Sequence, residues 1–222
     1  MSLTLHYHPL ASFCWKVLIA LYENDTPFER VIVDLGDEAS RAAFFKLWPI
    51  GKFPVLQDHA RDRLVPEAAI IIDYLDLYFP GATIFVPKDA DLARQTRLVD
   101  RFYDHYIHEP MQKIVTDKIR PEDSHDPFGV QQAREMLATA YPIIDADMAG
   151  GNWAMDDFFS LADCAAFPAL FYADKVEPLA GRFPNAARYL ERLSARPSVM
   201  RVLKEARPYM PLFPYYKPGM EG

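Results

Sequence analysis

The sequence has only two cysteines in 222 residues, Cys14 and Cys164, far apart and with no Cys-x-x-Cys pair. That spacing argues against a structural disulfide and against a dithiol redox centre. Neither cysteine has a histidine at metal-ligand spacing, and the six histidines complete no recognised ligand motif, so no metal site is expected. No run approaches the ~18 to 20 apolar residues that span a bilayer, and Met1 to Leu10 has neither a basic region nor a long apolar stretch. A cytoplasmic protein without a membrane partner is expected. Basic block there is none: 24 Lys and Arg are mixed among 31 Asp and Glu, for a formal charge of -7, and nothing is placed to neutralise a row of phosphates. Nucleic acid is therefore not an expected partner.

What is present is apolar residue in quantity, 50% of a chain long enough for two modest domains. In the first eighty residues two periodicities alternate. Leu3 to Tyr7 reads as a strand; after Pro9, the stretch from Phe13 to Glu23 places Cys14, Val17, Leu18, Leu21 and Tyr22 at helical spacing. Phe28 to Val33 is apolar and β-branched, a second strand that must run parallel to the first because a helix crosses between them. A weaker helix covers Glu38 to Leu47; Pro49, Gly51 and Pro54 then break the chain. Two short strands follow, Val55 to Asp58 and Arg63 to Val65, close enough to form an antiparallel hairpin. Glu67 to Phe79 closes the unit as a helix with Ile70, Ile71, Tyr74, Leu75 and Tyr78 as its apolar stripe.

Beyond Phe79 the composition shifts to Pro, Gly, Lys and Asp, and strand signals largely vanish. The expected division is a small α/β domain over residues 1–80, a linker over 81–91, and an all-helical domain over 92–222 with an extended C-terminal tail. Leu92 to Ile119 reads as one long helix kinked at Pro110, and Val130 to Met148 as another, bent or restarted at Pro142. Ser160-Leu161-Ala162-Asp163 is a capping box, which should start a buried central helix running to about Lys175. The tail, Arg207 to Gly222, interleaves Pro208, Pro211, Pro214 and Pro218 with Tyr209, Phe213, Tyr215 and Tyr216; it is predicted to pack back as an extended strap.

Four segments in order carry a family resemblance: Leu5-His6-Tyr7-His8-Pro9 running into Ser12-Phe13-Cys14-Trp15, then Trp48-Pro49-Ile50-Gly51-Lys52-Phe53-Pro54-Val55-Leu56, then Pro66-Glu67-Ala68-Ala69-Ile70, and last the capping box. Together they resemble the cytosolic glutathione transferase superfamily over essentially the whole chain. The resemblance implies a thioredoxin-like N-terminal domain, an all-α helical-bundle C-terminal domain, glutathione as co-substrate and a homodimer in which the helix from Glu67 meets the partner's helix from Leu92. It implies that Pro54 follows a cis peptide bond and that the backbone of Phe53 beside it pairs with the tripeptide. Lys52 would meet the glycyl carboxylate, Glu67 the γ-glutamyl ammonium, and the N–H groups of the helix start, Ala68 among them, the γ-glutamyl carboxylate. Ala68 stands where the family usually has serine or threonine, so one hydroxyl contact is missing.

The implied reaction is attack of the glutathione thiolate on an electrophilic small molecule, with isomerisation or peroxide reduction as variants. Ala11 falls where several classes carry their catalytic serine or cysteine. The turn has some similarity to the zeta class, which includes maleylacetoacetate isomerases, but Phe13 replaces that class's cysteine. Ser12 is the first choice for the hydroxyl that activates the thiol and Tyr7 the second, while Cys14 is read as a buried small hydrophobe. For the electrophile, Leu10 and Ala11 are expected across a cleft from Tyr103 and Tyr106, which with Pro110 fall at three- and four-residue spacing on one helix face; core aromatics are the alternative. Ala11 and Ala68 also leave room for a different reading, a transferase-like scaffold that binds or regulates without turnover.

Overall fold

The computed structural model describes residues 2–219; Met1 and the last three residues of the expected strap, Met220 to Gly222, lie outside them. Strands β1 (Leu3–Tyr7), β2 (Glu29–Ile32), β3 (Val55–Asp58) and β4 (Arg63–Pro66) form one sheet in the order β2-β1-β3-β4. β1 runs parallel to β2, with Thr4 opposite Glu29, and antiparallel to β3, with Leu3 opposite Asp58. β3 and β4 are the hairpin, with Val55 opposite Pro66. Leu3, Leu5 and Tyr7 alternate into the core from the central β1, as period-two geometry requires. Helix α1 (Ser12–Glu23) supplies the crossover, and α3 (Ala68–Tyr78) packs beside it. Helix α2 (Glu38–Leu47) buries Phe44 in a small second core with Val33 and Val55.

The remainder is helical: α4 (Ala90–Phe102), α5 (Glu109–Asp117), α6 (Pro127–Asp147), α7 (Leu161–Val176), α8 (Pro184–Ser194) and α9 (Pro197–Ala206). α7 lies at the centre, buried along nearly its whole length. Its capping box is formed: Ser160 Oγ accepts from the Ala162 N–H, and Asp163 accepts from the Ser160 N–H at 2.8 Å. α1 packs against α3 on one side and against α7 and α9 on the other, which is why every residue from Cys14 to Tyr22 is buried. One continuous apolar core joins the sheet unit to the helices.

Three expectations change. The long helix is not one α-helix kinked at Pro110; a π-helical turn, Tyr103–His108, separates α4 from α5, whose first turn contains Pro110. Proline has no N–H for the carbonyl one turn back, and an underwound turn ahead of it is one way to accommodate the missing bond. α6 runs through Pro142 unbroken and starts earlier than expected. Pro127 fits the first helical turn, and Asp126 caps it by accepting from the Gly129 N–H at 2.8 Å. The tail packs back, with Met210 buried and Phe213, Tyr215 and Tyr216 against the core, but Arg207–Leu212 is a 3-10 helix, not an extended strap. The φ that a proline ring imposes suits 3-10 geometry as well as an extended chain.

Candidate functional site

Between β1 and α1 the chain turns through His8 to Ala11, and four hydrogen bonds hold this turn. The Ala11 N–H donates to the His8 carbonyl at 3.0 Å and the Leu10 N–H to His8 Nδ1 at 3.2 Å. The Trp15 indole N–H donates to the Pro9 carbonyl at 2.6 Å, and the Tyr172 hydroxyl, from α7, to the Leu10 carbonyl at 2.8 Å. A turn tied down from both the sheet unit and the helical bundle holds Ser12 at the first position of α1, whose cap residue, Ala11, offers no side chain to the helix N–H groups.

Ser12 Oγ is hydrogen-bonded to Nε2 of His108, the last residue of the π turn. One turn further along α1 stands Lys16, buried, its ammonium 2.5 Å from Asp100 and 2.9 and 3.0 Å from the two oxygens of Asp104. Arg101 reaches Asp100 at 2.9 Å and Asp104 at 3.2 Å. Burial pushes the His108 imidazole down to about 3, and the Lys16 charge adds to the effect, so the ring is neutral at physiological pH. Burial raises the Asp100 carboxyl, against the opposing pull of Lys16.

Ser12 opens on a cavity of about 360 Å³. Leu10, Ala11 and Phe13 form one wall of it, Lys52 and Phe53 another, and Met111, Gln112, Val115 and Thr116 of α5 the third; Tyr172 and the tail residue Phe213 close it. The Phe53–Pro54 peptide bond is cis. The antiparallel register that pairs Val55 with Pro66 sets Phe53 and Pro54 beside Glu67 and Ala68. Glu67 caps α3 at φ +69°, a left-handed conformation that costs a non-glycine residue about 1–3 kcal/mol and collects at binding sites. Its side chain makes no cap bond and is exposed, while Ala68 is buried.

The structure thus brings Leu10, Ala11, Ser12, Lys52 and Phe53 around one cavity, with Glu67 and Ala68 at the neighbouring hairpin end. Tyr7 is not in that lining. It is buried at the end of β1, near Arg30 and Glu205, and burial raises its phenol. Cys14 is fully buried and its thiol is pushed well up. The expectation for Tyr103 and Tyr106 is corrected: neither lines the cavity. Tyr103 is a core residue beside Tyr189 and Asp163, and Tyr106 faces a separate surface depression with His105, Glu109 and Lys113. The π turn changes the angular phase that three-residue spacing assumes, so His108 and Met111 take the inner face instead. His108, Met111, Val115, Tyr172 and Phe213 were not placed at the site by the sequence reading. One signal existed for His108: Asp100, Asp104 and His108 recur at four-residue intervals, as do Ser12 and Lys16, two polar series on otherwise apolar faces. Among the described residues no group of three His, Cys, Asp or Glu side chains is placed to hold a metal ion, and no helix is long and apolar enough to cross a membrane.

A βαβ unit continued by an antiparallel hairpin and a third helix, with a cis-proline beside the first helix start and a helical bundle behind, is the thioredoxin-like plus helical architecture of glutathione transferases. Residues 5–83 match the glutathione S-transferase N-terminal domain family and residues 95–197 the glutathione S-transferase C-terminal domain family. The chain belongs to the cytosolic glutathione transferase superfamily. It is similar to glutathione S-transferase GstB of Escherichia coli strain K12, at 23% identity over 85% of this chain and 91% of that protein. Among solved structures it is similar to a glutathione S-transferase of Methylobacillus flagellatus KT with glutathione bound, at TM-score 0.82 and 24% identity over 90% of this chain and 98% of that one. Another is a Methylobacterium radiotolerans enzyme in complex with glutathione sulfonate, at TM-score 0.78 and 27% identity over 90% and 93% of the two chains.

Proposed function

We propose that this protein is a glutathione S-transferase: glutathione binds along the cis-proline edge with its sulfur at the start of α1, and its thiolate attacks an electrophilic small molecule held in the cavity against α5 and the C-terminal tail. Isomerisation and peroxide reduction are variants of the same thiolate chemistry. The observation that carries this reading is Ser12, which lines the cavity at a helix N-terminus that no side chain caps. A free thiol titrates near ~8.5, so it is only a few per cent thiolate at neutral pH. Lowering it by about two units takes ~2.7 kcal/mol of preferential stabilisation of the anion. One hydrogen bond to a charged group contributes about 1.5–3 kcal/mol and a helix N-terminus about 0.3–1 kcal/mol, which together cover it.

In this reading Lys52 meets the glycyl carboxylate, the Phe53 backbone pairs with the peptide, Glu67 takes the γ-glutamyl ammonium, and the Ala68 N–H helps hold the carboxylate beside it. Leu10 and Ala11, with Phe13, Met111, Val115 and Phe213, face the electrophile. The active form is a homodimer with α3 of one subunit against α4 of the other, supported by Ile70 and Leu77 on α3 and Leu98 on α4, all large apolar side chains exposed in the single chain.

The test is Ser12→Ala against Tyr7→Phe, read by ultraviolet titration of bound glutathione and by steady-state conjugation of an aryl halide. Ser12→Ala should raise the bound thiol's pKa by about 1–2 units and lower kcat about tenfold or more. Tyr7→Phe should do little. Ser12→Ala silent in both assays removes the serine from the mechanism.

A further inference from the structure

The Ser12 hydroxyl has one proton, and the direction of that proton decides whether it can serve a thiolate. Its hydrogen-bond partner is Nε2 of His108. A neutral imidazole presents Nε2 as an acceptor when the proton is on Nδ1, and as a donor when Nδ1 is bare. In the first arrangement the serine gives its proton to the ring. In the second it receives one, and its own proton is released toward the cavity.

The surroundings of Nδ1 decide between them. That atom is buried without a hydrogen-bond partner among the described residues. A proton there would be an orphaned buried N–H, and such groups are rarer in folded proteins than under-used acceptors. We infer that His108 donates from Nε2 to Ser12 Oγ, acting as the positioning residue that turns the Ser12 hydroxyl proton toward the glutathione sulfur; this rests on the reading of Ser12 as the thiol-activating group. No proton crosses the pair during turnover. Two donors in series stabilise the anion, each polarising the next.

The π turn is what brings His108 into line. Positions four apart on an α-helix drift by about 40°, so from Asp100 to His108 an unbroken helix would rotate by about 80°. The underwound turn Tyr103–His108 takes much of that drift back, and Asp100, Asp104 and His108 all face α1. They meet residues one turn apart there, His108 at Ser12 and the two aspartates at Lys16, in a ladder between antiparallel segments. The ion-paired rung anchors the helix, and the Phe13 ring packs on the imidazole with centroids 4.2 Å apart. A neutral ring held by Ser12 at its Nε2 edge and by the Phe13 ring keeps one tautomer and one orientation.

Long-range proton–nitrogen correlation spectra of the intact protein, with the histidines labelled, read the tautomer directly. The expected result for His108 is a protonated Nε2 and a bare Nδ1; a proton on Nδ1 overturns the inference. In parallel, glutathione thiol titration and steady-state kinetics compare wild type, Ser12→Ala, His108→Phe and His108→Gln. His108→Phe should raise the bound thiol's pKa and lower kcat about tenfold, with KM for glutathione within about twofold, and the amide donor of His108→Gln should restore part of both. If wild type and Ser12→Ala differ in thiol pKa while His108→Phe matches wild type, the His108 role fails and the Ser12 reading stands. If wild type does not lower the thiol pKa at all, the Ser12 reading fails and takes the inference with it.

Discussion

Lys16→Met is the substitution that tests the ladder most severely, because it removes a buried cation and leaves its partners in place. Methionine keeps the length of the side chain and fills a position that is 1% exposed. Asp100 and Asp104 then share a buried site in which, among the described residues, the remaining paired cation is Arg101, whose side chain is 48% exposed and well hydrated. Breaking a buried pair from one side costs about 3–5 kcal/mol, and Arg101 places the expected loss near the lower end, about 3 kcal/mol at pH 7. The loss should also depend on pH. Burial already raises the Asp100 carboxyl and Lys16 is the main opposing influence, so its removal raises the folded-state pKa further. A carboxyl raised in the folded state binds its proton more readily there than in the unfolded chain, so falling pH favours the folded variant. Urea unfolding of variant and wild type at pH 7 and pH 5, at one protein concentration, should show the gap shrink at the lower pH. Adding Asp100→Asn to Lys16→Met should recover part of the loss at pH 7. A loss under about 1 kcal/mol, or one of equal size at both pH values, would refute the reasoning.

His108, held near 3 in the folded protein against an ordinary 6.5, binds its proton more readily in the unfolded chain, so its contribution is fully present above pH 6.5 and is lost as pH falls; by pH 5 about 2 kcal/mol should be gone. Unfolding free energies against pH for wild type and His108→Gln should diverge in that window, and parallel curves would contradict the burial account. Phe213→Ala removes a ring that closes the cavity and packs on Tyr172 with centroids 5.0 Å apart, so kcat/KM for an apolar aromatic electrophile should fall about 5- to 30-fold, corresponding to about 1–2 kcal/mol of lost apolar contact. Tyr106→Ala should leave that ratio within about twofold, since the side chain lies outside the cavity lining. Leu98→Glu, at a position 61% exposed on α4, should shift light scattering from dimer toward monomer, and a wild-type protein that is monomeric at micromolar concentration would refute the dimer outright.

The strands and helices of the first eighty residues were legible because their signals are local. Alternation in Leu3–Tyr7, the breakers Pro49, Gly51 and Pro54, and the short connection between β3 and β4 all act over a few residues of backbone, as does the Ser160–Asp163 box further along the chain, and the ordered motifs pointed to the family. The cavity was not legible to the same depth. Leu10, Ala11, Lys52 and Phe53 sit on turns, and Ser12 at a helix start, whose place follows from strand order, but the opposite wall depends on the rotation of a helix about its own axis. Three-residue spacing pointed to Tyr103 and Tyr106; the π turn moved that phase and put His108, Met111 and Val115 inward. Tyr172 and Phe213 reached the site from segments whose sequence speaks only of packing and proline content. The Ser12–His108 and Lys16–Asp104 rungs join residues 96 and 88 positions apart. Periodicity shows which residues turn away from water, but which of them meet is decided by how α1, the π turn and α7 pack into one core, where a rotation of tens of degrees exchanges one side chain for another.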